Sequence, residues 1–277
     1  MVTITPGGDG LHLRQAGIGR AFRAIVLIIV GAFFLIPILA SARYSVLGVH
    51  NHLTLSAYRS LFADPSFRSS LWLSLQVAIA TVILTGLLVI PTSIWVTVRI
   101  PKLRGLLDAL SIVPLGVPSV VVVLGLLGAY HSILNVILTS PFILAPIYVM
   151  LALPYSYRTF DTAVRSLDVN TLVEAAQSLG ASWTRTLIGV LLPNLRAGMI
   201  GALILAGAYA LGEFVVASLL SFNTFPVYIV QIGLTAAAEA VAVSLVALLV
   251  AFVPLSLVTI LGGGRSKTKQ RSIGVTG

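Results

Sequence analysis

The chain contains no cysteine, which excludes a disulfide framework, a thiolate metal site and a cysteine nucleophile. Charge is almost as scarce. Only 9% of the 277 residues are Asp, Glu, Lys or Arg, against roughly 25% in an ordinary soluble domain, so the charged set cannot cover a water-facing globule. With 58% apolar residues and a mean hydropathy of +1.06, the principal solvent is a lipid bilayer. Acids are rarer than bases, eight against seventeen, giving a net charge of +9. That balance suits a nucleic-acid binder, but these cations fall in small clusters between apolar runs and form no continuous patch, which argues against nucleic acid as a partner.

What is present is a series of uncharged stretches, each of which can be compared with the roughly 20 residues that a membrane crossing requires. Ala24 to Ala42 is uncharged for 19 residues and Ser69 to Val98 for 30, one crossing each. Ala109 to Tyr157, 49 residues without a charge, is too long for one helix and accommodates two, with a turn in the polar stretch His131 to Pro141. Ala197 to Leu219, interrupted by Glu213, is a fifth crossing, and Ala240 to Leu261, stopping at Gly262, Gly263 and Gly264, a sixth. Six spans place fourteen of the seventeen cations on one side, in residues 1–23, around Arg99 to Arg104, in 158–196 and in the tail 262–277. By the positive-inside rule both termini are cytoplasmic. The fold expected is therefore all-α and polytopic, N-in and C-in, with a transmembrane domain over 24–261. Ala40-Ser41-Ala42 resembles a signal cleavage site, but the 19-residue apolar run exceeds the usual 7–15 of a signal peptide, and removing it would disturb the charge alternation. The stretch His12 to Arg23 fits an interfacial helix or a solvated tail, and the residues after Gly262 a disordered one.

Little in the chain suits an enzyme. Gly262 to Thr268 lacks the Gly-Lys-Ser/Thr ending of a phosphate-binding loop, so ATP hydrolysis requires another subunit. His12, His50, His52 and His131 are scattered, the 50/52 pair sits in a polar outer loop, and no metal site is expected. No H-E-x-x-H, G-x-S-x-G or intramembrane pair of acids occurs, so no catalytic residue is expected either.

The segment richest in pattern is Arg158 to Arg196. Leu172, Ala175, Ala176 and Leu179 fall at helical spacing, and Gly180 stands where a left-handed cap would end the helix. Trp183, Leu187, Val190 and Leu191 form a second stripe, which Pro193 is expected to interrupt. A helix, a glycine corner and a second helix thus lie on the cytoplasmic face, too short to be stable without a partner.

In this segment the sequence resembles the permease subunits of binding-protein-dependent ABC importers of the type I fold. Their EAA loop reads Glu-Ala-Ala, three residues, Gly, nine residues, Ile, one residue, Leu-Pro. Here the positions are Glu174, Ala175, Ala176, Gly180, Val190 in place of Ile, Leu192 and Pro193. The resemblance implies a coupling helix that docks on a separate ABC ATPase subunit, with Glu174 pairing a cation there; ATP and Mg would bind that subunit and no cofactor this chain. It also implies an extracytoplasmic substrate-binding protein and a second permease, a heterodimer more than a homodimer. Taken alone, Glu174 reads first as a solvated first-turn acid favoured by the helix dipole, and it is the complete spacing of the motif that reverses that preference. The wording of the loop and Gly212-Glu213-Phe214 are closer to permeases for polyamines, ferric iron, phosphonates, thiamine or oxyanions than to sugar permeases, with a polyamine or a small phosphonate or ion ranked first.

Glu213 is the one acid well inside an apolar span, roughly 25 Å along a helix from Arg196 at about 1.5 Å per residue. It lines the solute path or its gate, or it pairs with a polar group such as Gln76 or Asn135. A self-sufficient secondary transporter using Glu213 as a proton or ion site is the rival reading. Pro91, Pro114, Pro118, Pro141, Pro146 and Pro154 are expected to kink or interrupt helices.

Overall fold

A computed structural model describes residues 9–47, 52–129 and 139–249. Among them every regular element is helical: α1 (Asp9–Ser45), α2 (Ser56–Ala63), α3 (Pro65–Arg99), α4 (Arg104–Gly116), α5 (Ser119–Ala129), α6 (Leu144–Ser166), α7 (Val169–Ser178), α8 (Trp183–Thr186), α9 (Leu192–Gly212), α10 (Val215–Leu219), α11 (Phe225–Gly233) and α12 (Ala237–Leu249). The expected turn around His131, the second half of the sixth span and the tail after Gly262 lie outside the described residues.

Local chemistry sets the helix limits. Asp64 caps α3 by accepting from the Ser66 N–H at 2.8 Å, with Pro65 in the first turn where its missing N–H costs nothing. No charge then intervenes until Arg68, and α3 runs on to Arg99 through Pro91 without a break. Pro154 is likewise held inside α6. In a bilayer no water competes for the freed carbonyls, so one lost hydrogen bond does not end a helix held by packing. Pro118 is different. Val117 before it is extended (φ −110°, ψ 113°), and α4 and α5 meet there at 96°. The third span is thus a bent pair, interrupted at Pro118 as its sequence leads one to expect. Phe22–Ser45, Pro65–Arg99 and Trp183–Gly212 are each long and apolar enough to cross a membrane, and the bent pair makes a fourth candidate.

Helix α6 is central, packed on α3, α4 and α9. At one end of the bundle Val77, Val123, Leu144, Tyr148, Leu151, Ala210 and Val216 form a core; at the Arg196 end Ile90, Ile94, Phe160, Val164, Leu191 and Leu195 form another. Small residues allow the close approach. A Cβ on Gly198 would sit 2.2 Å from the Ala163 Cβ, and one on Gly207 3.0 Å from Val82 Cγ2. By contrast α1 stands apart, with nothing in its apolar window buried.

Candidate functional site

The Asp168 carboxylate opens α7, accepting from the Thr171 hydroxyl at 2.6 Å and the Thr171 N–H at 3.3 Å. Those bonds, the hydroxyl foremost, hold it below the ordinary 3.8. With the cap at 168 the inward face becomes Val169, Leu172, Val173 and Ala176, and the first three pack among Phe160, Val164, Leu191 and Leu195. The stripe Leu172, Ala175, Ala176, Leu179 is therefore corrected by one step: Ala175 is exposed, and Leu179, beyond the last helical residue, is 88% exposed. Of the two alanines, only Ala175 can meet a partner.

The expected corner is present. Gly180 has φ +82°; its N–H bonds the Gln177 carbonyl at 2.9 Å, and the Ala181 N–H bonds the Ala176 carbonyl at 3.0 Å, the two bonds of a left-handed helix stop. Ser182 then caps α8, its hydroxyl accepting from the Arg185 N–H at 3.4 Å.

Pro193 does not interrupt the second helix, contrary to the sequence reading. Its ring would strike the Gly189 carbonyl and it has no N–H to offer, but residues Leu187–Leu191 widen into a π turn that makes the room. The Asn194 side chain donates to the Val190 carbonyl at 2.7 Å. Trp183–Gly212 is consequently one helix of 30 residues. Leu192 is partly buried against the lower core and Pro193 is exposed.

Glu174 is exposed on α7 and has no hydrogen bond or ion pair among the described residues. As the sixth residue of α7, after the Asp168 cap, it is not a first-turn acid. Glu174, Ala175, Leu179 and Gly180 make up an outward face that no described residue covers.

Glu213 lies where α9 ends, in extended backbone (ψ 118°), and its Oε1 accepts from the Val216 N–H at 3.1 Å. This peptide partner takes the place of the expected Gln76; Asn135 lies outside the described residues. Tyr148 and Tyr209 are electrostatic neighbours of the carboxylate. Their rings stand 6.4 Å apart at 74°, and Tyr155 stacks on Tyr209 at 6.1 Å. The Tyr148 hydroxyl is buried without a hydrogen-bond partner among the described residues.

Two constellations escaped the sequence reading. In the first, the Arg104 guanidinium donates to Asp161 at 2.6 Å, Arg165 donates to Asp161 at 2.5 Å and to Asp108 at 2.9 Å, and the Tyr157 hydroxyl donates to Asp108 at 2.7 Å. This network joins α4 to the charged end of α6. Asp161 in particular holds the Arg165 guanidinium above its ordinary value. Only the Asp161–Arg165 spacing of four was readable in advance. In the second, the Arg99 guanidinium carbon lies 4.8 Å from the Trp183 ring centroid and 5.9 Å from that of Trp95. Among the described residues no three His, Asp or Glu side chains converge as a metal site would need.

A helical bundle with three or four membrane-length apolar helices and one amphipathic helix-corner-helix segment defines an all-α, polytopic membrane protein. Residues 89–265 match the family of binding-protein-dependent transport system inner membrane components, and the chain belongs to it. It is accordingly an ABC importer permease, a multi-pass protein of the inner membrane and not an enzyme. No curated relative matches the chain.

Proposed function

We propose that the chain, with six spans and both termini in the cytoplasm, supplies half of a solute pathway and couples it to ATP hydrolysis through residues 158–196. The observation that carries this reading is the uncovered face of Glu174, Ala175, Leu179 and Gly180, whose opposite side is fixed to the lower core by Val169 and Val173. Such a face receives a separate ATPase subunit, with Glu174 pairing a cation in its groove, and ATP and Mg reside on that subunit. A second permease, a paralogue in our reading, covers the other half of the pathway and lies against the exposed α1, and an extracytoplasmic binding protein delivers the solute.

The solute is a polyamine or a small phosphonate or ion. Among these, the cluster of Glu213, Tyr148, Tyr155 and Tyr209 supports a cation, because a carboxylate beside aromatic faces attracts an ammonium group. Glu213 then lines the pathway or its gate.

The test is uptake into proteoliposomes holding permeases, ATPase subunits and binding protein. Glu174→Ala and Gly180→Pro should insert normally and abolish ATP-driven uptake, while Arg185→Ala should not. Wild-type uptake in both variants would remove the coupling assignment, and gradient-driven uptake by the chain alone would overturn the importer mechanism. Glu213→Gln should reduce uptake of a cationic solute and leave assembly and basal ATP hydrolysis intact; unchanged uptake would take Glu213 out of the pathway.

A further inference from the structure

Helix α3 ends in Trp95 and Arg99, one turn apart, so both side chains leave the helix on one face. Trp183 opens α8 immediately after the glycine corner and meets that face. Its ring is edge-on to Trp95 at 5.9 Å and 87°, and the Arg99 guanidinium carbon stands 4.8 Å from its centroid. Arg99 has no hydrogen bond or ion pair among the described residues. Among the described residues the guanidinium is met by the two rings. Two of the three tryptophans of the chain are used in this one contact.

The placement has mechanical meaning. Movement of α7 can pass up the unbroken α8–α9 helix and reach α3 through apolar packing such as that of Leu191 and Leu195 with Ile90 and Ile94. The contact of Trp183 with Arg99 and Trp95 is a second route, at the root of the loop and directional, because an indole attracts a cation over its face and not at its edge. We infer that Trp183, Arg99 and Trp95 form a latch that transmits displacement of the loop to α3, making them positioning residues for coupling. The inference rests on the coupling reading of residues 158–196. Trp183 is partly buried against the core of Phe160, Leu191 and Leu195, whereas Glu174 is exposed, so the latch and the docking face are separable by mutation.

The experiment uses the complete transporter with its ATPase subunits and binding protein, reading ATP hydrolysis with and without loaded binding protein, and ATPase retention on purification. Trp183→Ala and Arg99→Ala should retain the ATPase subunit and basal hydrolysis, and lower the stimulated rate roughly two- to fivefold, the scale of one cation–π contact at an exposed site. Trp183→Phe and Arg99→Lys, which keep a ring face and a cation, should recover most of it. The double alanine variant should be no worse than either single one, since each breaks the same contact. Full stimulation in both alanine variants would overturn the latch, as would loss of the ATPase subunit from either or a Phe variant as impaired as Ala. If instead Glu174→Ala and Gly180→Pro transport normally, it is the coupling reading that fails.

Discussion

Substituting Gly198 by Ala tests how closely α9 and α6 depend on each other. The added Cβ would lie 2.2 Å from the Cβ of Ala163, 3.7 Å from its Cα and 3.9 Å from a Phe160 ring carbon. Only the first is a clash. Carbon atoms rest at about 3.5–4.0 Å, so the helices must part by roughly 1.5 Å, and neither Cβ has a rotamer by which to escape. With no rotamer to relieve it, overpacking of this kind falls at the upper end of the usual range, about 2–3 kcal/mol, against a gain of about 1 kcal/mol from replacing a helical glycine. The net is a loss of about 1–2 kcal/mol, or roughly 2–8 °C in the melting temperature of the solubilised protein. The exchanged pair Gly198→Ala with Ala163→Gly isolates the clash, because helix propensities cancel and volume is conserved. Its melting temperature should return to within about 1–2 °C of wild type, the equivalent of a few tenths of a kcal/mol. A single variant that melts like wild type, or an exchange no better than the single variant, refutes the close-approach argument.

Asp161→Asn should cost about 2–4 kcal/mol in thermal unfolding, since it strips Arg104 and Arg165 of a carboxylate that is only 10% exposed; Asp108→Asn, with a 37% exposed side chain, should cost less than 1 kcal/mol or so, and the reverse order would contradict the network. Tyr228 donates to Asp64 at 2.7 Å, and that bond, followed by the Ser66 N–H, lowers the Asp64 pKa below 3.8. The stabilisation is thus present above pH 3.8 and lost as pH falls through the lowered value, so Tyr228→Phe should reduce the melting temperature at pH 7 and have no effect once Asp64 is protonated. Cysteines introduced at positions 105, 185 and 268 should react only from the cytoplasm and those at 52 and 238 only from outside, without background from the cysteine-free chain; labelling of 185 from outside would sink the six-span topology.

The parts of the fold that were legible in advance rest on short-range chemistry. Long uncharged runs gave α1 and α3, and a glycine after an apolar stripe gave the left-handed stop at Gly180, because both depend on neighbours within a few residues. Long-range pairings were not legible. Arg104 and Asp161 are 57 positions apart, and nothing local to Arg99 points to Trp183. Proline was overread where packing outweighs one lost hydrogen bond, at Pro91, Pro154 and Pro193, and read well at Pro118, where the preceding residue also had to be extended. The phase of α7 was misjudged by one step because Asp168, a capping side chain, fixes where its buried face begins.

The π turn at Leu187–Leu191 holds one more residue than an α turn would need. At about 100° of rotation per residue, it offsets the angular register of everything before it from everything after it. Trp183 faces α3 because of that offset; the same five residues wound as an α-helix would point it about a quarter revolution elsewhere around the α9 axis. The extra residue therefore acts as a clocking pin between the cytoplasmic segment and the membrane bundle. The wide turn absorbs its extra residue, so four residues wound as an α turn would rotate the flanks by nearly the same angle. Deletion of Gly189 should therefore keep the cytoplasmic segment aligned with the bundle, whereas insertion of one residue should turn it by about 100° and be far less tolerated.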